Sequence, residues 1–356
     1  MEENKNKIYQ NFSNLIPVVM SADNNYAPYL AVCIKSLIEN SSKNNNYCIY
    51  VLYTELSESN QTKIKNLETI NCNIEFIDVT SYYADLDLSN FYYGNLSLAS
   101  YNRFLIPKIF SDYKKVIYCD CDAVFNADVA EVFNIDIGNK YIGAIKDTFV
   151  NYLVLKDSNN EYYYKNILGL EKSENYFQSG FMIMNIPELL KNNFSDNFLL
   201  TLKKIEKPKY YDQCILNIVC QNNVYFIPEE WNFMFSIHFI SDYNQFLPKD
   251  ILQRYIQAHK KPKYVHFCGA AKPWQNPLLD KAELFWKYAR MTDFYEQIIY
   301  ENIYKKDNTT INNNHLVNNN KSEKIFSIRD SDDKSHKIIT IFRIKIKIKK
   351  GKQNGQ

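Results

Sequence analysis

Glycine is scarce, eight residues in 356. Neither GxGxxG nor GxxxxGK[ST] occurs. Both motifs rely on glycine to bring backbone close to phosphate, so a dinucleotide-binding or P-loop reading is disfavoured from the start. No apolar run reaches the roughly 18 residues that a membrane-spanning helix needs. Met1–Lys7 leads into polar sequence rather than an apolar h-region, so no export signal is expected. A basic stripe over the body is missing as well. The net charge is +2, and seven Lys and Arg fall in residues 334–350, which hold no acid. The remainder is therefore mildly acidic, which argues against a nucleic-acid partner. With no export signal, the eight cysteines (33, 48, 72, 119, 121, 214, 220, 268) are expected to be reduced and mostly buried, in a cytoplasmic protein.

What is abundant is aromatic bulk, with 29 Tyr and 22 Phe in a chain that is 46% hydrophobic. A sizeable core is affordable. Residues 15–20 read as a buried strand. Ala27–Glu39 carries Leu30, Ile34, Leu37 and Ile38 at helical spacing. A strand over Tyr47–Tyr53, a helix over Ser57–Ile70 with Ser57 as N-cap, and a strand over Asn73–Val79 follow. Leu98–Phe110 reads as a helix disturbed by Pro107, and Lys115–Cys119 as the fourth strand. This alternation implies βαβ units, an α/β fold with a mainly parallel mixed sheet flanked by helices. Beyond it, strands are expected at Tyr141–Lys146, Tyr176–Asn185, Val224–Ile227 and Tyr264–Phe267. Helices are expected at Pro187–Lys204, Tyr211–Cys220 and from Ala282 to Tyr288. The folded domain is expected to cover residues 1–305. An Asn-rich linker (306–324), with seven Asn in residues 308–320, and a basic tail (325–356) complete the chain.

Two segments carry chemistry. Asp120-Cys121-Asp122 closes the apolar run from Lys115. Side chains two apart in extended backbone leave the same face, so both carboxylates can reach one hard divalent cation. A cation held by two carboxylates keeps positions free for phosphate oxygens. In parallel sheets ligands sit beyond the carboxyl ends of the strands, and Asp23 and Asp120 both follow strands there. The second segment is His266-Phe267-Cys268-Gly269-Ala270-Ala271-Lys272-Pro273-Trp274. His266 ends a strand and offers a nitrogen ligand, Gly269 permits close backbone approach, and Lys272 supplies a positive charge for a diphosphate.

Ser21-Ala22-Asp23-Asn24-Asn25-Tyr26, the Arg103 segment, Asp120-Cys121-Asp122 and His266…Gly269…Lys272-Pro273-Trp274 occur in an order that resembles glycosyltransferase family 8. The resemblance covers roughly residues 15–290. It is similar to the bacterial lipopolysaccharide galactosyl- and glucosyltransferases, with glycogenin a more distant relative. It implies a GT-A fold, a UDP-hexose donor, a glycan or glycolipid acceptor, Mn²⁺ (or Mg²⁺) and retention of anomeric configuration. By the same resemblance Asp120, Asp122 and His266 are metal ligands. Two carboxylates with an imidazole suit Mn²⁺ better than Mg²⁺. Ser21, Ala22, Asp23, Asn25, Tyr26 and Cys121 belong to the nucleoside-binding segments. Arg103 lies near the donor, and Gly269 and Lys272 at the diphosphate. Tyr211-Asp212-Gln213 resembles the family's Asp-Gln segment beside the reacting sugar, with Cys214 where Asp is common. Phe177-Gln178-Ser179-Gly180 resembles its Phe-Asn-Ala/Ser-Gly turn, with Gln178 replacing Asn. Asp212, Gln213 and Lys272 are the catalytic candidates.

Alternatives remain open at the level of sequence. Cys119, Cys121, His266 and Cys268 could form a structural Cys₃His zinc site in a non-catalytic protein. The same fold could also hydrolyse a UDP-sugar. From Arg343 onward, basic and apolar residues alternate with the period of a strand. The tail reads either as a solvated strand or as a peripheral anchor on the anionic inner face of the cell membrane.

Overall fold

The structure, a computed structural model, describes residues 14–87, 91, 97–205, 207–234 and 242–304, together with strands at 326–330, 336–341 and 344–349. The chain divides into two units, Met1–Asn302 and Ile303–Gln356.

Seven strands form the main sheet of the first unit. They are β1 (Leu15–Ser21), β2 (Asn46–Tyr53), β3 (Cys72–Asp78), β4 (Lys115–Cys119), β6 (Ile142–Ala144), β7 (Phe181–Asn185) and β8 (Val224–Phe226), in the order β3-β2-β1-β4-β7-β6-β8. Only β7 runs against the others. Successive residues along the central strands enter opposite cores. Val18, Met20, Ile49, Val51 and Ile117 pack on one face. Val19, Tyr50, Leu52, Val116 and Tyr118 pack on the other. Both faces are covered, which is why these strands read as continuous apolar runs. A second, small sheet sits beside the first: β5 (Ala123–Phe125), β10 (Tyr264–His266) and β9 (Phe233–Met234), in the order β5-β10-β9.

Helix α1 (Ala27–Asn40) opens with Pro28 in its first turn, where a missing N–H costs nothing. Helix α2 (Glu58–Lys65) is capped by the Ser57 hydroxyl, which accepts from Asn60 N. It ends five residues before the expected Ile70, whose side chain is fully exposed and contributes nothing to a buried stripe. Leu98–Leu105 is a 3₁₀ helix rather than an α-helix, and Pro107 lies in the first turn of the short helix that follows. The expected helix over Pro187–Lys204 is broken by Asn193 in the left-handed region (φ 48°). The expected strand over Tyr176–Asn185 starts only at Phe181. Ahead of it, Asn217 replaces a neighbouring strand, accepting from Phe177 N and donating to Phe177 O, each at 2.8 Å. Helix α3 (Tyr211–Cys220) has the expected limits, and α4 (Ala282–Ala289) runs one residue beyond them. Helices at Thr148–Lys156 and Lys249–Lys260, and strands β5 and β9, escaped the sequence reading.

In the second unit β11 (Phe326–Asp330), β12 (His336–Ile341) and β13 (Ile344–Lys349) form an antiparallel meander. The linker expected at 306–324 lies outside the described residues.

The loop after β10 is tied to α1 by ring stacking. Trp274 lies on Tyr29 with centroids 3.7 Å apart and planes 13° from parallel, and its indole is buried. This contact fixes the segment that carries Gly269 and Lys272. Trp274→Ala is expected to destabilise the protein by about 3–5 kcal/mol, measured by urea unfolding. A loss below about 1 kcal/mol would mean that the stack does not hold the loop.

Candidate active site at the carboxyl edge of the sheet

Strands β1 and β4 are parallel neighbours, so the segments after Ser21 and Cys119 emerge at one edge. A cleft of about 1130 Å³ opens there. Ser21, Ala22, Asp23, Asn25, Tyr26, Arg103, Asp120, Cys121, Asp122, Gln178, Asp212, Gln213, His266, Gly269 and Lys272 all line it. Residues up to 251 positions apart in sequence are thus brought to one cavity, from Ser21 to Lys272.

Asp120 and Asp122 are not in extended backbone, as their spacing suggests, but in the bend between β4 and β5. Their convergence comes from the step between the two sheets. Strand β10 pairs antiparallel with β5 and sets His266 opposite Ala123. Phe267 N then donates to Asp122 O at 3.0 Å. His266 Nε2 arrives 3.1 Å from Asp122 Oδ1 and 3.8 Å from Asp120 Oδ2. The second oxygen of each carboxylate is taken by protein. Asp120 Oδ1 accepts from Tyr118 Oη at 2.7 Å and Arg103 Nη2 at 3.0 Å. Asp122 Oδ2 accepts from Lys272 Nζ at 2.5 Å. Gly180 lies under this group, and a Cβ there would collide with the His266 ring and with Asp120 Oδ2.

One ligand atom from each of Asp120, Asp122 and His266 lies within 4.8 Å of the others. Two hard oxygens and a borderline nitrogen converging on one point fit a divalent cation. The charges around them agree. Burial pushes the Asp122 carboxyl up, but the Lys272 ammonium and His266 outweigh it and hold the group well below the ordinary carboxylate range. Lys272 is pulled down by burial and up by Asp122, and the carboxylate wins. Lys272 Nζ also donates to Phe267 O at 2.7 Å. Gly269 takes φ +78°, the left-handed turn that starts this loop. On the other wall Asp23 Oδ1 accepts from Tyr26 N at 3.0 Å, folding the loop after β1. Burial lifts the Tyr26 phenol to about 12.

Arg103 is the internal brace of the cleft. It is buried, with its plane over the Tyr118 ring at 4.5 Å. It donates to Ser100 O, Ser179 O, Ser179 Oγ and Asp120 Oδ1. Its Nε lies 3.1 Å from Asp212 Oδ2. That contact is an ion pair without hydrogen-bond alignment, for Asp212 Oδ2 is buried with no hydrogen-bond partner. Burial raises the Asp212 carboxyl to about 6, against the pull of Arg103. Gln213 is held at both ends. Its Oε1 accepts from Ser179 N at 3.2 Å and its Nε2 donates to Asp147 Oδ2 at 2.9 Å. Tyr118, Asp147 and Asn232 are structural parts of the site that the sequence reading missed, and Ser179 and Asn217 were read only as members of their segments, without a role. Asn232 did leave a signal: it is a lone amide in the apolar run Trp231–Met234, where burial demands hydrogen-bond partners.

The Cys₃His alternative does not assemble. Among the described residues the group able to hold a metal is Asp120, Asp122 and His266, without a cysteine. Cys121 Sγ points instead to Ser21 O at 3.5 Å. All eight cysteines are free, and seven of them are buried.

Residues 17–277 match the profile described as glycosyl transferase family 8. The chain belongs to this family. A Haemophilus influenzae protein named as a glycosyltransferase is 34% identical over 267 residues, covering 74% of each chain. A lipopolysaccharide 1,2-glucosyltransferase of Escherichia coli is 24% identical, covering 71% of each. Among solved structures, the bifunctional glycosyltransferase WbbM in apo form superposes with TM-score 0.72 at 29% identity, over 81% of this chain. This chain spans about half of WbbM, 52%. The galactosyltransferase LgtC, solved with donor and acceptor sugar analogues, superposes with TM-score 0.64 at 25% identity, covering 78% of this chain and 96% of LgtC. The seven-stranded, mainly parallel sheet with its flanking helices is thus of the GT-A type. Among the described residues no helix is long and apolar enough to cross a membrane.

The raised Asp212 carboxyl has a pH signature. The folded state keeps a proton that the unfolded chain releases near pH 4, so the associated stability is present below that value and is lost as pH rises through about 6. Asp212→Asn removes the buried charge. Its stability relative to wild type is expected to be higher at pH 8 than at pH 5 by about 1 kcal/mol. Thermal melts of both proteins at the two pH values check this, and an equal offset at both would contradict it.

Proposed function

We propose that the protein is a retaining hexosyltransferase that moves galactose or glucose from a UDP-sugar to a glycan acceptor, with Mn²⁺ (or Mg²⁺) at Asp120, Asp122 and His266. The observation that carries this reading is the convergence of those three ligands beside Lys272 in one large cleft. When bound, the cation would act as a Lewis acid on the leaving diphosphate. Lys272 adds fixed positive charge where negative charge develops. The loop Ser21–Tyr26 and Cys121 form the wall for uracil and ribose, with Gly269 allowing the backbone to approach the diphosphate.

Gln213 is an amide and a poor nucleophile, which favours front-face attack over double displacement. Asp212 and Gln213 would then steady the oxocarbenium-like sugar, Asp212 by its charge and Gln213 by its fixed dipole. The names of the Escherichia coli relative and its kin support lipopolysaccharide or another cell-surface glycan as acceptor.

A panel of UDP-sugars with Mn²⁺, scored for UDP release with and without glycan acceptors, tests the reading. Acceptor-dependent release from UDP-galactose or UDP-glucose is expected. Release to water alone, unchanged by any acceptor, would make the protein a hydrolase. Asp120→Asn and Asp122→Asn are each expected to cut Mn²⁺-dependent release by at least about 100-fold with circular dichroism unchanged. Near-normal turnover in either would remove that residue from the metal site.

We further propose that residues 1–305 are the catalytic domain, 306–324 a linker, and 325–356 a basic module that docks on the cytoplasmic face of the membrane, near lipid-linked acceptors. The seven cations of residues 334–350 support this. Each basic residue near an anionic surface can contribute about 1 kcal/mol. Deleting residues 325–356 is expected to leave activity on soluble acceptors intact and to abolish sedimentation with phosphatidylserine vesicles at low salt. Undiminished sedimentation of the truncated protein would refute the anchor.

A further inference from the structure

A neutral imidazole offers a lone pair on one nitrogen only, and which one is decided by the partner of the other. For His266 Nε2 to serve as a ligand, the proton must sit on Nδ1. Free histidine prefers it on Nε2. The chain of amides behind the ring settles the matter, beginning from a backbone group whose polarity is fixed.

Gly180 N can only donate, and the atom it meets at 2.5 Å is in the Gln178 carboxamide. That atom is therefore the oxygen, Oε1. The same oxygen lies 2.6 Å from the Asn232 carboxamide, which must therefore present its NH₂. The other end of Asn232 is then its carbonyl, and it faces His266 Nδ1 at 3.1 Å. An acceptor at that place keeps a proton on Nδ1, so that Nε2, which faces Asp122 Oδ1 at 3.1 Å, is the nitrogen a cation takes. Asn232 is fully buried, and Gln178 and His266 nearly so. Reversing Asn232 would set carbonyl against carbonyl at Gln178 and bring NH₂ against the ring nitrogen.

We propose that Gln178 and Asn232 are positioning residues, an amide relay running from Gly180 N–H that fixes the Nδ1–H tautomer of His266 and so readies Nε2 for a divalent cation. The inference rests on the reading of Asp120, Asp122 and His266 as a cation site. It also gives Gln178 a role. Its carbonyl is committed to the relay, and the residue lines the cleft.

The test reads whether His266 Nδ1 carries a proton in metal-free protein, where Asp122 Oδ1 faces Nε2 and accepts any second proton there. Long-range ¹H–¹⁵N correlation on ¹⁵N-histidine-labelled protein at about pH 8.5, above the ordinary imidazole range, identifies the protonated nitrogen. The His266 signals are assigned by their loss in His266→Asn. Wild type is expected to show Nδ1–H. Asn232→Leu should remove the proton from Nδ1 and weaken Mn²⁺ binding, followed by the electron paramagnetic resonance of free Mn²⁺, by about 10–100-fold. Gln178→Leu should move both readouts in the same direction. Gln178→Glu, which still accepts from Gly180 N and Asn232, should keep the Nδ1–H tautomer. If Asn232→Leu fails to fold, the wild-type spectrum and the two Gln178 variants carry the test. A wild type without a proton on Nδ1 overturns the relay, as does an Nδ1 proton retained in both leucine variants. An Nδ1–H wild type that binds no Mn²⁺ supports the hydrogen-bond chain and overturns the cation site it was proposed to serve.

Discussion

The site depends on three residue pairs between two short strands. Phe125 faces Tyr264, Val124 faces Val265 and Ala123 faces His266. A slip of one residue would turn every side chain of β10 to the opposite face. His266 would leave Asp122, and the loop bearing Gly269 and Lys272 would start from the wrong place. The register is guarded by burial, since Val124, Phe125, Tyr264 and Val265 are all within the core. Tyr264 also donates from its hydroxyl to Asp120 O at 2.6 Å, tying the small sheet to the bend that leaves the large one.

Around that junction the protein buries an unusual amount of charge. Arg103, Asp212, His266 and Lys272 are all buried, beside the partly buried Asp120 and Asp122. Isolated charges in such surroundings would be costly, and removing one partner would leave the other stranded. The arrangement avoids this by sharing. Arg103 serves Asp120 and Asp212 together, while Lys272 serves Asp122. With His266 neutral, three carboxylates against two cations leave a negative excess, an electrostatic condition that favours a cation at this point.

Much of this was legible in the sequence, for definite reasons. The parallel strands stand out because both of their faces are covered, so each is a continuous apolar run between helices. The carboxylates and the histidine stand out because ligand chemistry admits few residue types. What stayed hidden was long-range or short-lived. Strand β5 has three residues, each defined only by a pairing partner 139 to 143 positions away in β10. Asn217 and Asn232 act through side-chain hydrogen bonds, which leave no periodic trace. The break at Asn193 is one left-handed residue inside an otherwise helical pattern. Arg103 was read as a residue near the donor, yet most of its donors are spent on the protein itself, a distinction only the packed structure can draw.

Gly180 carries a consequence of another kind. It has room for a hydrogen atom and nothing larger, because the His266 ring and the Asp120 carboxylate already occupy the place a side chain would take. Every single-base change that alters a glycine codon brings in a residue with a Cβ or stops translation. Any replacement at this position therefore has to move the His266 ring or the Asp120 carboxylate in the same step. The codon for Gly180 thus constrains the cleft as tightly as the codons for the two side chains that press against it.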